Sequence, residues 1–204
     1  MIGASAGGVE ALSDLVTHLP ADLRASVFVV VHMPPYHKSV LPEILSKKGP
    51  LSAVHPAPRQ PVERGHIYVA PPNMHMMVQN GSVELWHGPR ENRQRPAINT
   101  LFRAAAVSHR ERVIGVVMSG LLDDGSAGLW WVKRYGGVTV VQNPASAAHP
   151  EMPQSALEYV DVDYIVDLPD MPQLLVGLVN GEMEPAAGVA AMDGPVWTVW
   201  KPGR

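Results

Sequence analysis

Three residues in this chain could together carry out acyl transfer: a serine in a glycine-rich turn, a histidine at the end of an apolar run, and an aspartate in a short loop. Gly3-Ala4-Ser5-Ala6-Gly7-Gly8 matches G-x-S-x-G and precedes a helical pattern. In that context the motif is a nucleophile elbow, with the serine on a tight strand-to-helix turn and glycines removing the side chains that would clash. The helix that follows offers free N–H groups and a positive dipole end to a developing oxyanion. His32 closes the most apolar stretch, Ser26 to Val31, and Met33-Pro34-Pro35 follows it. Asp124 lies in Ser119-Gly120-Leu121-Leu122-Asp123-Asp124-Gly125, directly after the stretch ending at Met118. A serine hydroxyl is a poor nucleophile until an imidazole accepts its proton, and a carboxylate fixes the imidazole tautomer and stabilises the imidazolium. Each residue also has a structural reading: a common glycine turn, a polar strand-end histidine, and a helix N-cap.

The elements that must bring these residues together alternate along the chain. Ser26 to Val31, Arg112 to Met118, Gly137 to Val141 and Asp163 to Asp167 read as strands, nearly continuous in apolar character, as expected where helices cover both faces of a sheet. Helical patterns lie between them: Val9, Leu12, Leu15 and Val16; Ile98, Leu101, Phe102 and Ala105 after Pro96; Leu129, Trp130 and Val132; Ala156, Leu157 and Val160; Leu174, Leu175 and Leu178. Strand–helix alternation implies right-handed crossovers and a mainly parallel, doubly wound α/β sheet in a single domain. Residues 67–86 break the pattern and read as strands joined by turns, with Asn80-Gly81 a type I′ hairpin signal. An antiparallel β-hairpin appended to the parallel sheet is therefore expected. Ser5, His32 and Asp124 would then share the carboxyl edge of one sheet, where open α/β folds bind their ligands.

Totals narrow the function further. The net charge of the 204 residues is 16 − 19 = −3, which leaves no basic excess for nucleic-acid binding. There is no cysteine, so disulfides, thiol nucleophiles and cysteine-held zinc are excluded. The longest apolar run is far short of the ~20 residues a membrane span needs, and no signal peptide is visible, so no membrane insertion is expected.

Five strings occur in order: Ile-Gly-Ala-Ser-Ala-Gly-Gly at 2–8, Val-His-Met-Pro at 31–34, Ile-Tyr-Val-Ala-Pro-Pro-Asn at 67–73, Arg-Pro-Ala-Ile-Asn-Thr-Leu-Phe at 95–102, and Met-Ser-Gly-Leu-Leu-Asp-Asp-Gly at 118–125. Together they resemble the catalytic domain of the chemotaxis protein-glutamate methylesterases, CheB, from about residue 2 to about residue 180. The resemblance implies Ser5 as nucleophile, His32 as base, and Asp124 rather than Asp123 as the carboxylate that orients it. It implies backbone N–H groups of Ala6 and Leu121 as the oxyanion hole, and Met33 beside the histidine as a substrate contact. The implied reaction is hydrolysis of glutamate γ-methyl esters on cytoplasmic helices of chemoreceptors, with glutamine deamidation in some members and no metal or organic cofactor. A cytoplasmic location follows, with a separate receiver protein or a methyltransferase as a further partner. The receiver domain and linker of the best-known members have no counterpart in these residues, and only Met1 and Ile2 precede Gly3 to form the expected first strand. The methylesterase domain is expected over 1–181, with 182–204 a tail on which Trp197 and Trp200 could dock back.

Other polar residues have weaker claims. Arg90, Arg93 and Arg95 form a local basic patch, either a solvated loop or a docking site for an acidic, glutamate-rich helix. His18, His37, His55, His66, His75, His87, His109 and His149 show no metal-ligand spacing and read as surface or hairpin histidines. Met74, Met76 and Met77 are expected to pack the hairpin. The segment His149 to Pro153 could rim the site, on family position alone. Three rival functions remain at this point: a serine esterase or amidase for another substrate, a phosphate-binding module, and a catalytically silent relative. The second lacks both G-x-G-x-x-G and G-K-[ST], and the third is opposed by the intact triad. A histidine base predicts activity that falls as pH drops through about 6–7, where imidazoles titrate.

Overall fold

The computed structural model describes residues 1–36 and 38–183. His37 and the expected tail beyond Met183, with Trp197 and Trp200, lie outside the described residues.

Apolar strands and amphipathic helices alternate as β1 (Ile2–Ala4), α1 (Gly8–Thr17), β2 (Val27–Val31), α2 (Leu41–Lys48), β3 (Ser52–Val54), β4 (Gln60–Pro61) and β5 (His66–Val69). A hairpin follows, β6 (His75–Gln79) and β7 (Ser82–Trp86), then α3 (Ile98–His109), β8 (Ile114–Val117), α4 (Ser126–Arg134), β9 (Val138–Gln142), α5 (Glu151–Tyr159), β10 (Tyr164–Val166) and α6 (Met171–Asn180). Seven strands form one parallel sheet in the order β10-β9-β8-β1-β2-β5-β3. From β1 the chain builds one side of the sheet with β2, β3 and β5 and then crosses to the other side with β8, so the strand order reverses beside β1. That reversal opens a crevice at the carboxyl edge.

Side-chain alternation explains why the central strands are apolar throughout. In β2, Val27, Val29 and Val31 face a core built with Leu12 and Leu15 of α1, Leu45 of α2 and Leu175 of α6. Phe28 and Val30 face the other core, with Leu101 and Phe102 of α3, Leu129 of α4 and Met152 of α5. Both faces exclude water, so every position must be apolar. β10 is less buried than its sequence implies, because it is an edge strand and exposes Ile165. β1 has only three residues, yet it is paired on both sides, with Ile2 opposite Val29 and Val116. Two ladders hold a strand that one could not.

Residues 67–86 divide differently from the expectation. Ile67 to Val69 belong to the main sheet, as β5 between β2 and β3. The hairpin β6–β7 does not extend that sheet; with β4 it forms a separate antiparallel three-stranded sheet. Met76, Val78 and Val83 of this small sheet pack into the core beside α3. Asn80 and Gly81 take positive φ, 49° and 75°, as a type I′ turn requires. Helix α2 and strands β3 and β4 have no counterpart in the sequence reading; α2 carries few apolar residues and the strands are two or three residues long.

Candidate active site

The site is assembled from the ends of three adjacent strands. Ser5 follows β1, His32 follows β2, and the loop 119–125 leaves β8, on the opposite side of β1 from β2. Backbone bonds continue the sheet register past the strand ends: the His32 N–H donates to Ala4 O at 3.3 Å and the Ser5 N–H to Ser119 O at 2.9 Å. The turn after Ser5 requires its glycines. Gly7 sits at φ 71°, and a Cβ there would meet Ala148 and Ser119 Oγ at 3.0 Å. Gly120 lies against the nucleophile from the other side, since a Cβ on it would come within 2.9 Å of Ser5 Cβ and into Met152 Sδ.

His32 bridges the other two residues. Its Nδ1 lies 3.2 Å from Ser5 Oγ and its Nε2 lies 2.7 Å from Asp124 Oδ2. A carboxylate only accepts, so Nε2 carries the proton and Nδ1 presents a lone pair to the serine hydroxyl. Both partners are shielded from water, with side-chain exposures of 8% for His32 and 2% for Asp124. The neighbouring Asp123 is exposed and takes no part.

Asp124 does not cap the helix it precedes. Its Oδ2 also accepts the Ile98 N–H at 2.7 Å and its Oδ1 the Asn99 N–H at 3.1 Å, so it satisfies the first turn of α3. Helix α3 has no side-chain cap from its own N-cap residue, Ala97. The donors fix the carboxylate plane.

The loop carrying Asp124 is held by polar groups. Leu121 and Leu122 are 41% and 55% exposed, and Leu122 adopts φ 68°, a left-handed conformation that costs a non-glycine residue on the order of 1 kcal/mol. Opposing that strain, Gln142 Oε1 accepts the Ser119 N–H at 2.9 Å and His149 O accepts the Gly120 N–H at 3.0 Å. Glu151 Oε2 accepts the Leu122 N–H at 3.1 Å. The segment from His149 thus buttresses the loop through backbone and carboxylate. The Ala6 and Leu121 N–H groups donate to no protein acceptor among the described residues.

The candidate substrate contacts fare unequally. Met33 is half-buried and packs against the core beside α1. Arg90 and Arg93 are exposed and in no ion pair among the described residues, Arg93 at φ 65° in the turn closed by the Glu91–Gln94 bridge. Arg95 does not join them: its Nε lies 2.9 Å from Asn73 Oδ1, and Nη1 donates to Gly88 O. Below the arginines, Glu91 takes a bidentate bond from Arg103 at 2.8 and 2.9 Å and the Thr100 hydroxyl at 2.9 Å. Burial pushes the Glu91 carboxyl up, but the Arg103 and Thr100 hydrogen bonds and the Arg103 charge outweigh it and hold the group below the usual glutamate range.

His75 lies in the hairpin, at the start of β6, and is buried there: it is 1% exposed, with Nε2 2.8 Å from Pro89 O and Nδ1 accepting the Ala97 N–H at 3.3 Å. It tethers the arginine loop to the start of α3. Among the described residues no group of three or more His, Cys, Asp or Glu could hold a metal ion. No helix among them is long and apolar enough to cross a membrane. Glu151 lies in the segment His149 to Pro153 that the sequence places at the rim of the site, whereas the contributions of Asn99, Ser119 and Gln142 were not expected. The one visible signal was a polar Asn99 inside the apolar face of Ile98, Leu101 and Phe102.

A doubly wound sheet with serine, histidine and aspartate converging at its carboxyl edge defines the class as a doubly wound α/β protein with a candidate acyl-transfer site. Within that class the chain belongs to the CheB methylesterase family, whose model matches residues 1–175. That membership makes it a methylesterase, a hydrolase of carboxylic esters. It is 32% identical over 185 residues to a Leptospira interrogans protein provisionally named protein-glutamate methylesterase/protein-glutamine glutaminase, covering 90% of this chain and 96% of that one. It is 33% identical to a Geobacter metallireducens protein and 32% identical to a Salmonella typhimurium protein that carry the same activities in their names. The matches cover 89% and 88% of this chain but 51% and 52% of theirs, so it spans about half the length of those relatives. The CheB methylesterase catalytic domain of Thermotoga maritima superposes with a TM-score of 0.82 at 30% identity, over 87% of this chain and 96% of that one.

Proposed function

We propose that this protein hydrolyses glutamate γ-methyl esters, and deamidates glutamines, on cytoplasmic helices of chemoreceptor-type signalling proteins through a Ser5-His32-Asp124 acyl-enzyme. The observation that carries the reading is His32 bridging Ser5 Oγ at 3.2 Å and Asp124 at 2.7 Å. The names of the relatives supply the substrate chemistry.

Ser5 Oγ attacks the ester carbonyl carbon while His32 Nδ1 takes its proton. The oxyanion is met by the Ala6 and Leu121 N–H groups, whose lack of a protein acceptor leaves them free for this use. Collapse breaks the bond to methoxide, which receives the proton from His32 and leaves as methanol. A water then gives its proton to His32, attacks the acyl-enzyme, and frees the glutamate carboxyl group and Ser5. With an amide the leaving group is ammonia and the steps are the same. Asp124 keeps the Nε2–H tautomer and stabilises the imidazolium throughout. Arg90 and Arg93 would draw in an acidic helix, and Met33 would line the approach to His32. A methyltransferase would supply the ester, and a separate receiver protein would be the regulatory partner.

Methanol release from a methyl-esterified receptor cytoplasmic fragment tests the proposal. Ser5→Ala is expected to lower the rate by on the order of 10⁴-fold or more. Labelling of Ser5 by a serine-directed probe without methanol release from the receptor would leave a serine hydrolase with a different substrate.

A further inference from the structure

The catalytic carboxylate and the start of α3 are linked by a reciprocal contact. Asp124, in the loop before α4, accepts the Ile98 and Asn99 N–H groups of α3. In return Asn99 Oδ1 accepts the Gly125 N–H at 3.0 Å and the Gly128 N–H at 2.7 Å at the start of α4. Neither helix is capped by its own N-cap residue, Ala97 or Gly125. Each borrows its cap from the other. Asn99 is 3% exposed and touches neither Ser5 nor His32 in any hydrogen bond. The close approach depends on Gly128, because a Cβ there would sit 3.1 Å from Asn99 Oδ1 and 2.7 Å from Phe102 Cβ.

We propose that Asn99 is a positioning residue for catalysis, whose side-chain oxygen locks the Asp124 loop to α3 and so holds the carboxylate in line with His32 Nε2. The proposal rests on Asp124 being the partner of His32 in the reaction. Leu122 is in a left-handed conformation, and Leu121 and Leu122 are exposed, so little apolar packing anchors the middle of the loop. Ser119, Gly120 and Leu122 are tied on the side of β9 and α5. Apart from the Asp124 carboxylate itself, Asn99 Oδ1 is the side-chain acceptor among the described residues that ties the Gly125 end to the helix whose N–H groups bind Asp124. Without it the carboxylate would still find donors, but in a loop free to turn. Displacement of a catalytic group by about 1 Å can cost about 100-fold in rate.

The test uses a fluorophosphonate probe, which forms an Oγ–P bond to the activated serine, expels fluoride, and reports the triad whatever the natural substrate. Asn99→Ala is expected to slow Ser5 labelling by about 100-fold and to move its acid limb to lower pH, because a loosened carboxylate stabilises the imidazolium less. Asn99→Asp keeps an acceptor oxygen in place and adds a negative charge near Asp124. It is expected to recover labelling to within a few fold of wild type, with the acid limb moved to higher pH. A purely structural role predicts lower melting temperatures with labelling and pH limb unchanged at temperatures where the variants are folded. That result, or Asn99→Asp failing to recover, overturns the proposal. Absence of labelling in the wild type would overturn the triad and Asn99's role with it, whereas normal labelling in Asn99→Ala removes Asn99 alone.

Discussion

Two aspartates in this molecule are almost equally buried, and only one of them is placed to do chemistry. Asp163, whose side chain is 1% exposed, lies beside β10 and takes Lys133 Nζ at 2.6 Å, with the Thr139 N–H at 2.8 Å and the Thr139 hydroxyl at 2.7 Å. Asp124, 2% exposed, takes His32 Nε2 at 2.7 Å and two backbone N–H groups of α3. Each carboxylate has all its partners, as burial demands. They differ in what lies behind the partner. Lys133 has only donors, so the Asp163 cluster ends there and clamps α4, β9 and β10 together. The imidazole is a donor on one nitrogen and an acceptor on the other, so the charge on Asp124 is felt at Ser5 Oγ. A buried carboxylate therefore becomes mechanistic through its partner's second face, not through its own burial.

The same isosteric change at both sites breaks the comparison most directly. Asp124→Asn is expected to reduce kcat for ester hydrolysis by about 10⁴-fold, because an amide N–H can force the wrong His32 tautomer, while the fold persists. Steady-state kinetics alongside thermal melting measures both halves of that statement. Asp163→Asn is expected to reverse the pattern. It leaves Lys133, 15% exposed, without a charge partner and lowers stability by about 3 kcal/mol, or roughly 10 °C in Tm. Its kcat at temperatures where it is folded should match wild type; a catalytic loss as large as that of Asp124→Asn would dissolve the distinction.

A third carboxylate sharpens the comparison at the low end. Glu91 and Arg103 are 30% and 40% exposed, so solvent screens the pair and Glu91→Gln should cost at most about 1 kcal/mol at pH 7. The Glu91 pKa is depressed in the folded state, so its stabilisation is present above the ordinary glutamate range and is lost as pH falls through the depressed value. Denaturant melts of wild type and variant should differ at pH 7 and converge below about pH 4. A gap that stays constant down to pH 3 would assign the effect to packing rather than to charge.

Much of this was legible in the residues. The β-branched runs of β2, β8 and β9 read as a parallel sheet, because a strand covered on both faces takes polar side chains only where they are hydrogen-bonded, as Thr139 and Gln142 are. Gly7 marked the turn after Ser5, and Asn80-Gly81 marked the hairpin, through backbone conformations that few other residues adopt. That Ile67 to Val69 joins the parallel sheet was not legible, because a short apolar run has the same pattern in a parallel sheet as beside a turn. The burial of the hairpin residue His75 was not legible, because nothing local shows that its two ring nitrogens have partners at Pro89 and Ala97.

Sequence by itself determined the residue types, the strand-end positions of Ser5 and His32, the place of Asp124 in the loop after a strand, and the family they resemble. All of these follow from local pattern and motif order. Only the tertiary structure decided that Nδ1 of His32 faces the serine, that Asp124 serves α3 rather than its own helix, and that Asn99 answers it from the far side. Those facts depend on hydrogen bonds between residues 25 to 92 positions apart. Such bonds are directional and a few ångströms long, so they exist only once the sheet register and the crossing of α3 with α4 have brought the two ends together.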